Sequence, residues 1–243
     1  MKLTVLGCSG TYAGPDNACS GYLVETEDTA VLMDCGPGTV SMVQRFRPLE
    51  SLDAIVVSHS HPDHWAELLV LRNAYRWVIE RIGVPVFGTE ETRSSLAALS
   101  RDDDHTYDWT TITASSELEI GGLGLRFSRT DHPPETLAIR IDADGRSLAY
   151  SADTGPGWTM ADLGDGIDLA LCEATYLHRD RGRSHGAHLS AHEAGDMCRS
   201  AGVGSVLLTH QIPGSTSEDF RAEASAAYGA PVHVARPGAT YDV

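Results

Sequence analysis

The sequence predicts a mixed α/β (α+β) fold in which two β-sheets pack face to face with helices on their outer sides. Short apolar runs bounded by polar or glycine-rich turns recur early and late in the chain, and segments with helical spacing lie between them. This interleaving favours a layered arrangement. Because the 243 residues contain no evident linker, repeat or low-complexity segment, we expect one domain spanning residues 1–243.

In the first half of the chain, β-forming residues between polar boundaries predict strands. These strands cover residues 2–6, 21–25, 29–34, 53–57 and 84–87. Helices are predicted over residues 39–46, 66–79 and 89–99. The stretch 7–16 is dense in glycine and proline, which predicts an irregular loop that can line a pocket. The charged run 101–105 predicts a solvated connection, with a lid over the pocket as the alternative.

The second half predicts a series of short strands with Gly- or Asp-rich turns, followed by alternating helices and strands. The strands cover residues 112–114, 117–120, 123–128, 137–141, 147–151, 168–173, 205–209 and 231–234. The helices cover residues 190–201 and 217–228.

Composition excludes several classes of function. No apolar run is long enough to span a bilayer, and the N-terminus reads as a strand rather than a signal peptide, so we expect a cytoplasmic protein without a membrane segment. The net charge of −16 opposes extensive nucleic-acid binding but allows a small anionic ligand. Lys2 is the only lysine, which argues against a Schiff base, a pyridoxal cofactor or a P-loop. Five cysteines without a C-x-x-C pair argue against a disulfide framework.

The strongest motif is H-x-H-x-D-H, which follows the apolar run 53–57 directly and contains His59, His61, Asp63 and His64. These spacings cannot share one helix face, because only residues three or four apart are helical neighbours, so a loop must carry them. Imidazole nitrogens with one carboxylate suit Zn, Fe, Mn or Ni. The spacing lets the first two histidines hold one ion while the aspartate and the third histidine face a second.

Three further donors lie just past predicted strands. His132, Asp153 and His210 each follow an apolar run closely, and loops from several strand ends can converge on a common rim. Each of them alone also fits a capping or surface residue. Together with the opening motif, they indicate a site with two metal ions.

This order of ligands resembles that of the metallo-β-lactamase superfamily, in which a later histidine, a bridging aspartate and a final histidine follow H-x-H-x-D-H. The resemblance implies a four-layer αββα metallo-β-lactamase sandwich with the site at one edge. It also implies two divalent metal ions, zinc first, with manganese or iron as alternatives. Carried over by position, it implies a first metal on His59, His61 and His132, a second on Asp63, His64 and His210, and Asp153 between the two.

Within the superfamily, two segments resemble the RNase Z and phosphodiesterase branch. The stretch 171–176 is similar to the H-E-A-T-Y segment of that branch, and the stretch 187–194 is similar to its histidine motif at a helix start. The resemblance implies that Glu173 holds His188, which protonates the leaving oxygen. The opening loop is similar to actinobacterial members that act on cyclic nucleotides. This chain departs from the branch at Ala152, where relatives often have glycine, and after His210, where the RNase Z continuation is missing.

The resulting prediction is a dinuclear-metal phosphodiesterase of small nucleotides, such as cyclic nucleotides or short oligonucleotides. Two metal ions can lower the pKa of a water so that hydroxide attacks phosphorus at neutral pH, with Asp63 orienting it. The short stretch between His132 and Asp153 leaves no room for the basic arm with which RNase Z grips tRNA. An RNase Z-like RNA 3′-end endonuclease and an ester, thioester or lactone hydrolase remain as alternatives. Relatives are often dimers, so a homodimer is a further expectation.

Two sets of side chains are candidates for substrate contact. A basic patch can draw phosphate toward the site, with a solvated loop as the alternative, and consists of Arg179, Arg181, Arg183 and His185. Aromatic side chains can stack on a base, with core packing as the alternative, and these are Tyr12, Tyr75, Trp77 and Trp109.

Overall fold

The computed structural model describes residues 1–100 and 105–243. Nearly all of the charged run predicted as a solvated connection lies outside the described residues. Within these two ranges, no helix is long and apolar enough to cross a membrane.

The first sheet contains eight strands and mixes antiparallel with parallel pairing. Its members are β1 (Lys2–Ser9), β2 (Ala18–Cys19), β3 (Gly21–Glu25), β4 (Ala30–Met33), β5 (Ala54–Val56), β6 (Val84–Gly88), β7 (Tyr107–Thr111) and β15 (Thr240–Asp242). The order is β15-β1-β3-β4-β5-β6-β7, with β2 beside β1. From β4 to β7 the neighbours are parallel.

The second sheet contains seven strands. They are β8 (Glu117–Ile120), β9 (Leu123–Arg129), β10 (Leu137–Ala143), β11 (Arg146–Tyr150), β12 (Leu169–Glu173), β13 (Ser205–Thr209) and β14 (His233–Val234). Their order is β14-β13-β12-β11-β10-β9-β8, with an antiparallel meander from β8 to β11 and parallel neighbours from β11 to β14.

Helices cross between the parallel strands, as parallel pairing requires. They are α1 (Thr39–Val43), α2 (Pro62–Trp65), α3 (Leu68–Ala74), α4 (Glu90–Leu99), α5 (Ala191–Ser200) and α6 (Ser217–Tyr228). Helix α3 continues as a π-helical turn over Tyr75–Ile79, and short 3-10 helices cover Leu49–Ser51, Met160–Leu163 and His178–Ser184.

Three apolar clusters separate the layers. Alternate residues of a strand point to opposite faces, so Tyr22 and Val24 of β3 face the other sheet, whereas Leu23 faces the helices. The central cluster joins the two sheets, and the rings of Tyr22 and Tyr150 lie 5.1 Å apart across it. The outer clusters lie between each sheet and its helices. The predicted layered α/β fold is therefore confirmed.

Three predicted boundaries are wrong for identifiable reasons. The strand predicted at residues 112–114 lies instead at Tyr107–Thr111, where polar residues of an exposed edge strand conceal the apolar pattern. The helix predicted at residues 66–79 begins at Leu68 and changes to π-helical geometry at Tyr75. The last predicted strand, β14, begins at His233 rather than at residue 231, where proline has no N–H to donate to a ladder, and strand β15 was not predicted.

Candidate metal centre

The predicted site residues meet at one rim, where strands from both sheets end. The motif residues follow β5, while His132, Asp153 and His210 follow β9, β11 and β13. Because parallel strands have their carboxyl ends at the same edge, residues far apart in sequence meet there. Pro62 occupies the first turn of α2, and the motif bends from an extended segment at His61 into this helix.

The first donor cluster contains His59, His61, His132 and Asp153, whose ligand-type atoms all lie within 4.8 Å of one another. Nδ1 of His61 and Nε2 of His132 are 3.1 Å apart. Oδ2 of Asp153 lies 3.7 Å from Nε2 of His59 and 3.8 Å from Nε2 of His132.

The second donor cluster contains Asp63, His64 and His210, again with ligand-type atoms within 4.8 Å of one another. Nε2 of His210 is 3.3 Å from Oδ2 of Asp63 and 3.3 Å from Nε2 of His64. Oδ1 of Asp153 lies 3.3 Å from Nε2 of both histidines. The carboxylate of Asp153 therefore faces the first cluster with one oxygen and the second cluster with the other.

Hydrogen bonds fix the ring orientation of two histidines from the first cluster. Nδ1 of His132 donates to the carbonyl of Ala187 at 2.8 Å. Nδ1 of His59 lies 3.0 Å from Oγ of Ser58 and donates to it, since that hydroxyl gives its own proton to Asp34. Both rings keep a lone pair on Nε2, the atom directed at the cluster.

The second cluster is supported in the same way. Nδ1 of His64 donates to Oδ2 of Asp34 at 2.7 Å. Nδ1 of His210 donates to Oγ1 of Thr175 at 2.9 Å, because the threonine hydroxyl itself donates to Glu173 at 2.7 Å. Nε2 of both rings faces the cluster, and this atom must be deprotonated to bind a cation.

Asp34, Ser58 and Thr175 are functional candidates that the sequence reasoning did not name. The buried carboxylate of Asp34 accepts hydrogen bonds from the backbone and side chain of Ser58, from His64 and from the hydroxyl of Tyr150. Asp34 lies just past strand β4, whereas the predicted strand 29–34 included it, so the rule that identified His132, Asp153 and His210 did not select it.

The chemistry of the donors fits a divalent transition metal. Among the described residues, Nε2 of His59 and Oδ1 of Asp153 are buried without a hydrogen-bond partner. Leaving a buried polar group unsatisfied costs about 1–3 kcal/mol, and a cation bound between these atoms removes that cost. Imidazole nitrogens combined with carboxylates suit zinc, manganese and iron.

Burial and nearby charges shift the pKa values of the donor side chains in opposite directions. Burial lowers the pKa of His59 and of His132, which keeps both rings neutral as metal binding requires. Burial also opposes charge on His64, but the carboxylates of Asp153, Asp63 and Asp34 raise its pKa well above the usual value. For Asp153, burial is outweighed by His210 and His64, so its pKa is held well below the usual range.

Glu173 and His188 form a hydrogen-bonded pair beside both clusters. Nδ1 of His188 donates to Oε1 of Glu173 at 3.0 Å, and the ring stacks on that of His210 with centroids 5.4 Å apart. The buried carboxylate of Glu173 also accepts from the backbone of Thr154 and from Thr175. Burial opposes charge on His188, but Glu173 raises its pKa to about 9. His188, Asp153 and His210 also have ligand-type atoms within 4.8 Å of one another.

Close backbone approaches hold the rim in shape. A Cβ atom on Gly36 would lie 1.9 Å from the carbonyl oxygen of Asp63, so only glycine fits against the motif. The opening loop packs on the site, because the backbone N–H of Thr11 donates to Oδ2 of Asp63 at 2.7 Å. Ala152 has φ of 50° and His210 has φ of 61°, both in the left-handed region. Ala152, where glycine was the expected residue, therefore occupies a backbone conformation that favours glycine.

The predicted accessory side chains divide into two groups. Arg179 and Arg183 line a cavity next to Thr175, whereas Arg181 donates to the carbonyl of His178. The remaining basic residue of the patch, His185, is exposed.

Two of the four aromatic candidates lie in or against the outer core. Tyr75 is buried and donates to the carbonyl of Leu49, and Trp109 packs partly buried against the same cluster. Tyr12 is exposed in the opening loop, and Trp77 is exposed on the π-helical turn.

The fold and the two donor clusters define a metallo-hydrolase of the metallo-β-lactamase type. Residues 29–211 match the family described as the beta-lactamase superfamily domain, and the chain belongs to this superfamily.

Three relatives span nearly the whole chain. The uncharacterized protein Rv1339 of Mycobacterium tuberculosis is 35% identical over 254 residues, covering 100% of this chain and 92% of that protein. The probable metallo-hydrolase YhfI of Bacillus subtilis is 30% identical over 247 residues, covering 100% of both chains. Ribonuclease Z of Mycobacterium bovis is 28% identical over 269 residues, covering 96% of this chain and 95% of the enzyme.

Solved structures agree with this assignment. The crystal structure of YhfI superposes with a TM-score of 0.90 at 28% identity, covering 99% of each chain. A diphosphatase from the PhnP family superposes with a TM-score of 0.81 at 18% identity, covering 100% of this chain and 97% of that one. The second likeness, at this low identity, concerns the fold alone.

Proposed function

We propose that this protein is a dinuclear-metal phosphodiesterase that cleaves small nucleotide phosphodiesters. The observation that carries the proposal is the arrangement of two donor clusters around the single carboxylate of Asp153, with the Glu173–His188 pair beside them. Because the donors come from both sheets, we further propose that residues 1–243 act as one hydrolase domain.

The first cation would be held by His59, His61 and His132, the second by Asp63, His64 and His210, and Asp153 would lie between them. Zinc fits this donor set first, with manganese or iron as alternatives. When bound, such ions supply positive charge for phosphoryl oxygens and a water of lowered pKa. Asp63, fixed by the N–H of Thr11, would orient that water through its carboxylate.

His188 would give a proton to the departing ribose oxygen, since an alkoxide leaves poorly without one. Its Nδ1 is committed to Glu173, which leaves Nε2 as the donating atom. Because Glu173 raises the pKa of His188 to about 9, the ring carries this proton at neutral pH. Glu173 therefore acts as a positioning residue that sets the orientation and charge of His188.

Charge favours a small substrate over RNA. A net charge of −16 repels a long phosphate backbone, and proteins that bind nucleic acid hold phosphates chiefly with Lys and Arg. The likeness to ribonuclease Z nevertheless makes RNA end-processing the second candidate. RNA binding at low salt that weakens steeply as salt rises would favour it, and no measurable binding would remove it.

The experiment is hydrolysis of bis-p-nitrophenyl phosphate by protein loaded with zinc or manganese. We expect turnover that is lost with chelator and reduced at least about 100-fold in His59→Ala, since truncation removes a buried ligand. The matched control is His233→Ala, which changes an exposed histidine on β14. Negligible phosphodiester cleavage together with turnover of esters, thioesters or lactones would overturn the proposal in favour of the other hydrolase class.

A further inference from the structure

A cavity of about 380 Å³ lies beside the metal centre, between the 3-10 helix His178–Ser184 and the loop after β13. Tyr176, Arg179 and Arg183 form one wall. Ile212 and Pro213 lie on the other, with Phe220 also lining it. Its volume falls within the range of about 300–1,000 Å³ that small-molecule sites occupy.

The cavity lies at the same rim as the donor clusters, because the segments that follow β12 and β13 line it. Thr175, which lines the cavity, accepts a hydrogen bond from Nδ1 of His210 at 2.9 Å and so lies behind this ring, on the side away from the Nε2 atom that faces the donors. Ile212, on the opposite wall, follows His210 by two residues. A substrate whose phosphate lies at the donor clusters has this cavity as a neighbouring space along the rim, beyond His210, for the group attached to the phosphate.

The lining has the chemistry of a nucleoside site rather than of a second phosphate site. The carboxylates of Asp180 and Asp219 balance the two arginines, so a bare anion gains no net attraction there. The guanidinium carbon of Arg183 lies over the Tyr176 ring, 5.5 Å from its centroid, which leaves the other face of the guanidinium plane as a flat cationic surface. Flat surfaces of this kind stack on bases, while carboxylates accept from base N–H groups and ribose hydroxyls.

We propose that this cavity is the nucleoside subsite of the enzyme. The Arg183–Tyr176 pair stacks on the base, and Asp219 and Asp180 accept hydrogen bonds from the base or the ribose. This assignment rests on the proposed phosphodiesterase function and adds its specificity-determining residues. It accounts for selectivity toward nucleotides without any extended basic surface.

The test compares two phosphodiester substrates that differ in the nucleoside. The measured quantity is the ratio of kcat/KM for the p-nitrophenyl ester of thymidine 5′-monophosphate to kcat/KM for bis-p-nitrophenyl phosphate. We expect Arg183→Ala to lower this ratio about tenfold, because stacking on one base contributes about 1–3 kcal/mol. The matched control is Arg181→Ala, which removes an arginine of the same helix that donates to a backbone carbonyl instead. The control ratio should stay at the wild-type value.

Equilibrium binding separates failure of the subsite from failure of the proposed function. Calorimetry with adenosine 5′-monophosphate and with inorganic phosphate needs no turnover, and Arg183→Ala should weaken nucleotide binding about tenfold relative to phosphate binding. An unchanged ratio in both experiments overturns the subsite, even when bis-p-nitrophenyl phosphate is cleaved. If the wild-type protein cleaves neither substrate but binds the nucleotide selectively, and Arg183→Ala loses this selective binding, the subsite is supported and the phosphodiesterase function is rejected.

Discussion

Asp34→Asn is the substitution that tests how the protein would prepare the proposed metal ligands. The carboxylate of Asp34 accepts the Nδ1 proton of His64 at 2.7 Å and three other hydrogen bonds from Ser58 and Tyr150. Asp34 has φ of 57°, and asparagine enters this left-handed region more readily than most residues. The variant therefore keeps the size and the backbone preference of the native residue while replacing one acceptor by a donor.

The expected cost follows from the hydrogen bonds. If the amide nitrogen faces His64, the imidazole must accept at Nδ1 and carry its proton on Nε2, which removes the lone pair directed at the cluster. If the amide is reversed, its N–H groups face the backbone N–H of Ser58, and a buried donor loses its partner at about 1–3 kcal/mol. Loss of a hydrogen bond behind a metal ligand lowers metal affinity about 10- to 100-fold, which equals about 1.4–2.7 kcal/mol.

The assay is a competition titration of zinc against a chromophoric chelator, supported by nitrogen NMR of the histidine tautomers. The control is Asp53→Asn, which makes the same change of charge at an exposed carboxylate that accepts from the backbone of Ala30. We expect zinc affinity of the Asp34 variant to fall about 10- to 100-fold below that of the control. Equal affinities in the two variants would refute the view that Asp34 sets the tautomer of a metal-binding His64.

Three further predictions concern the reaction itself. His188→Ala should keep the wild-type metal content but lose about 100-fold in kcat with substrates that have poor leaving groups. The control His192→Ala, which changes an exposed histidine of α5, should match wild type. Loss of metal in His188→Ala would instead make His188 a ligand. Glu173→Gln should move the basic limb of the pH profile of kcat to lower pH by about one unit or more. The reason is that the Glu173 carboxylate raises the pKa of His188 to about 9, so that His188 loses its proton only above about pH 9. An unchanged basic limb would contradict the role of Glu173 as the positioning residue of His188. Gly36→Ala places a Cβ atom 1.9 Å from the carbonyl oxygen of Asp63 and should lower kcat/KM about 100-fold. The control Gly122→Ala, whose Cβ has nothing within 4 Å, should keep the wild-type value. Equal kcat/KM in the two variants would show that the motif can shift without loss of activity.

The sequence predicted the parts of the site that a local pattern encodes. The spacing of the H-x-H-x-D-H motif predicted a loop that carries metal ligands, and the position of His132, Asp153 and His210 after apolar runs predicted a shared rim. The structure brings these side chains together as expected. Such inference works because parallel strands end at the same edge, so a position along a strand already specifies a position in space.

The hydrogen bonds between donor residues and distant parts of the chain could not be predicted from the sequence. The hydrogen bond from His64 to Asp34 joins residues 30 positions apart, and the one from Tyr150 to Asp34 joins residues 116 positions apart. No local period or spacing records such pairs. Edge strand β7 was misplaced for a related reason, since its exposed polar residues remove the apolar signal on which strand prediction depends.

The central claim is that the two donor clusters hold a pair of divalent cations. The most direct measurement is native mass spectrometry of the full chain after loading with zinc and removal of weakly bound metal. The account predicts two zinc ions for each chain, because the donors form two clusters and each cluster faces one oxygen of the Asp153 carboxylate. A chain that retains no ion, or only one at saturating zinc, would contradict it.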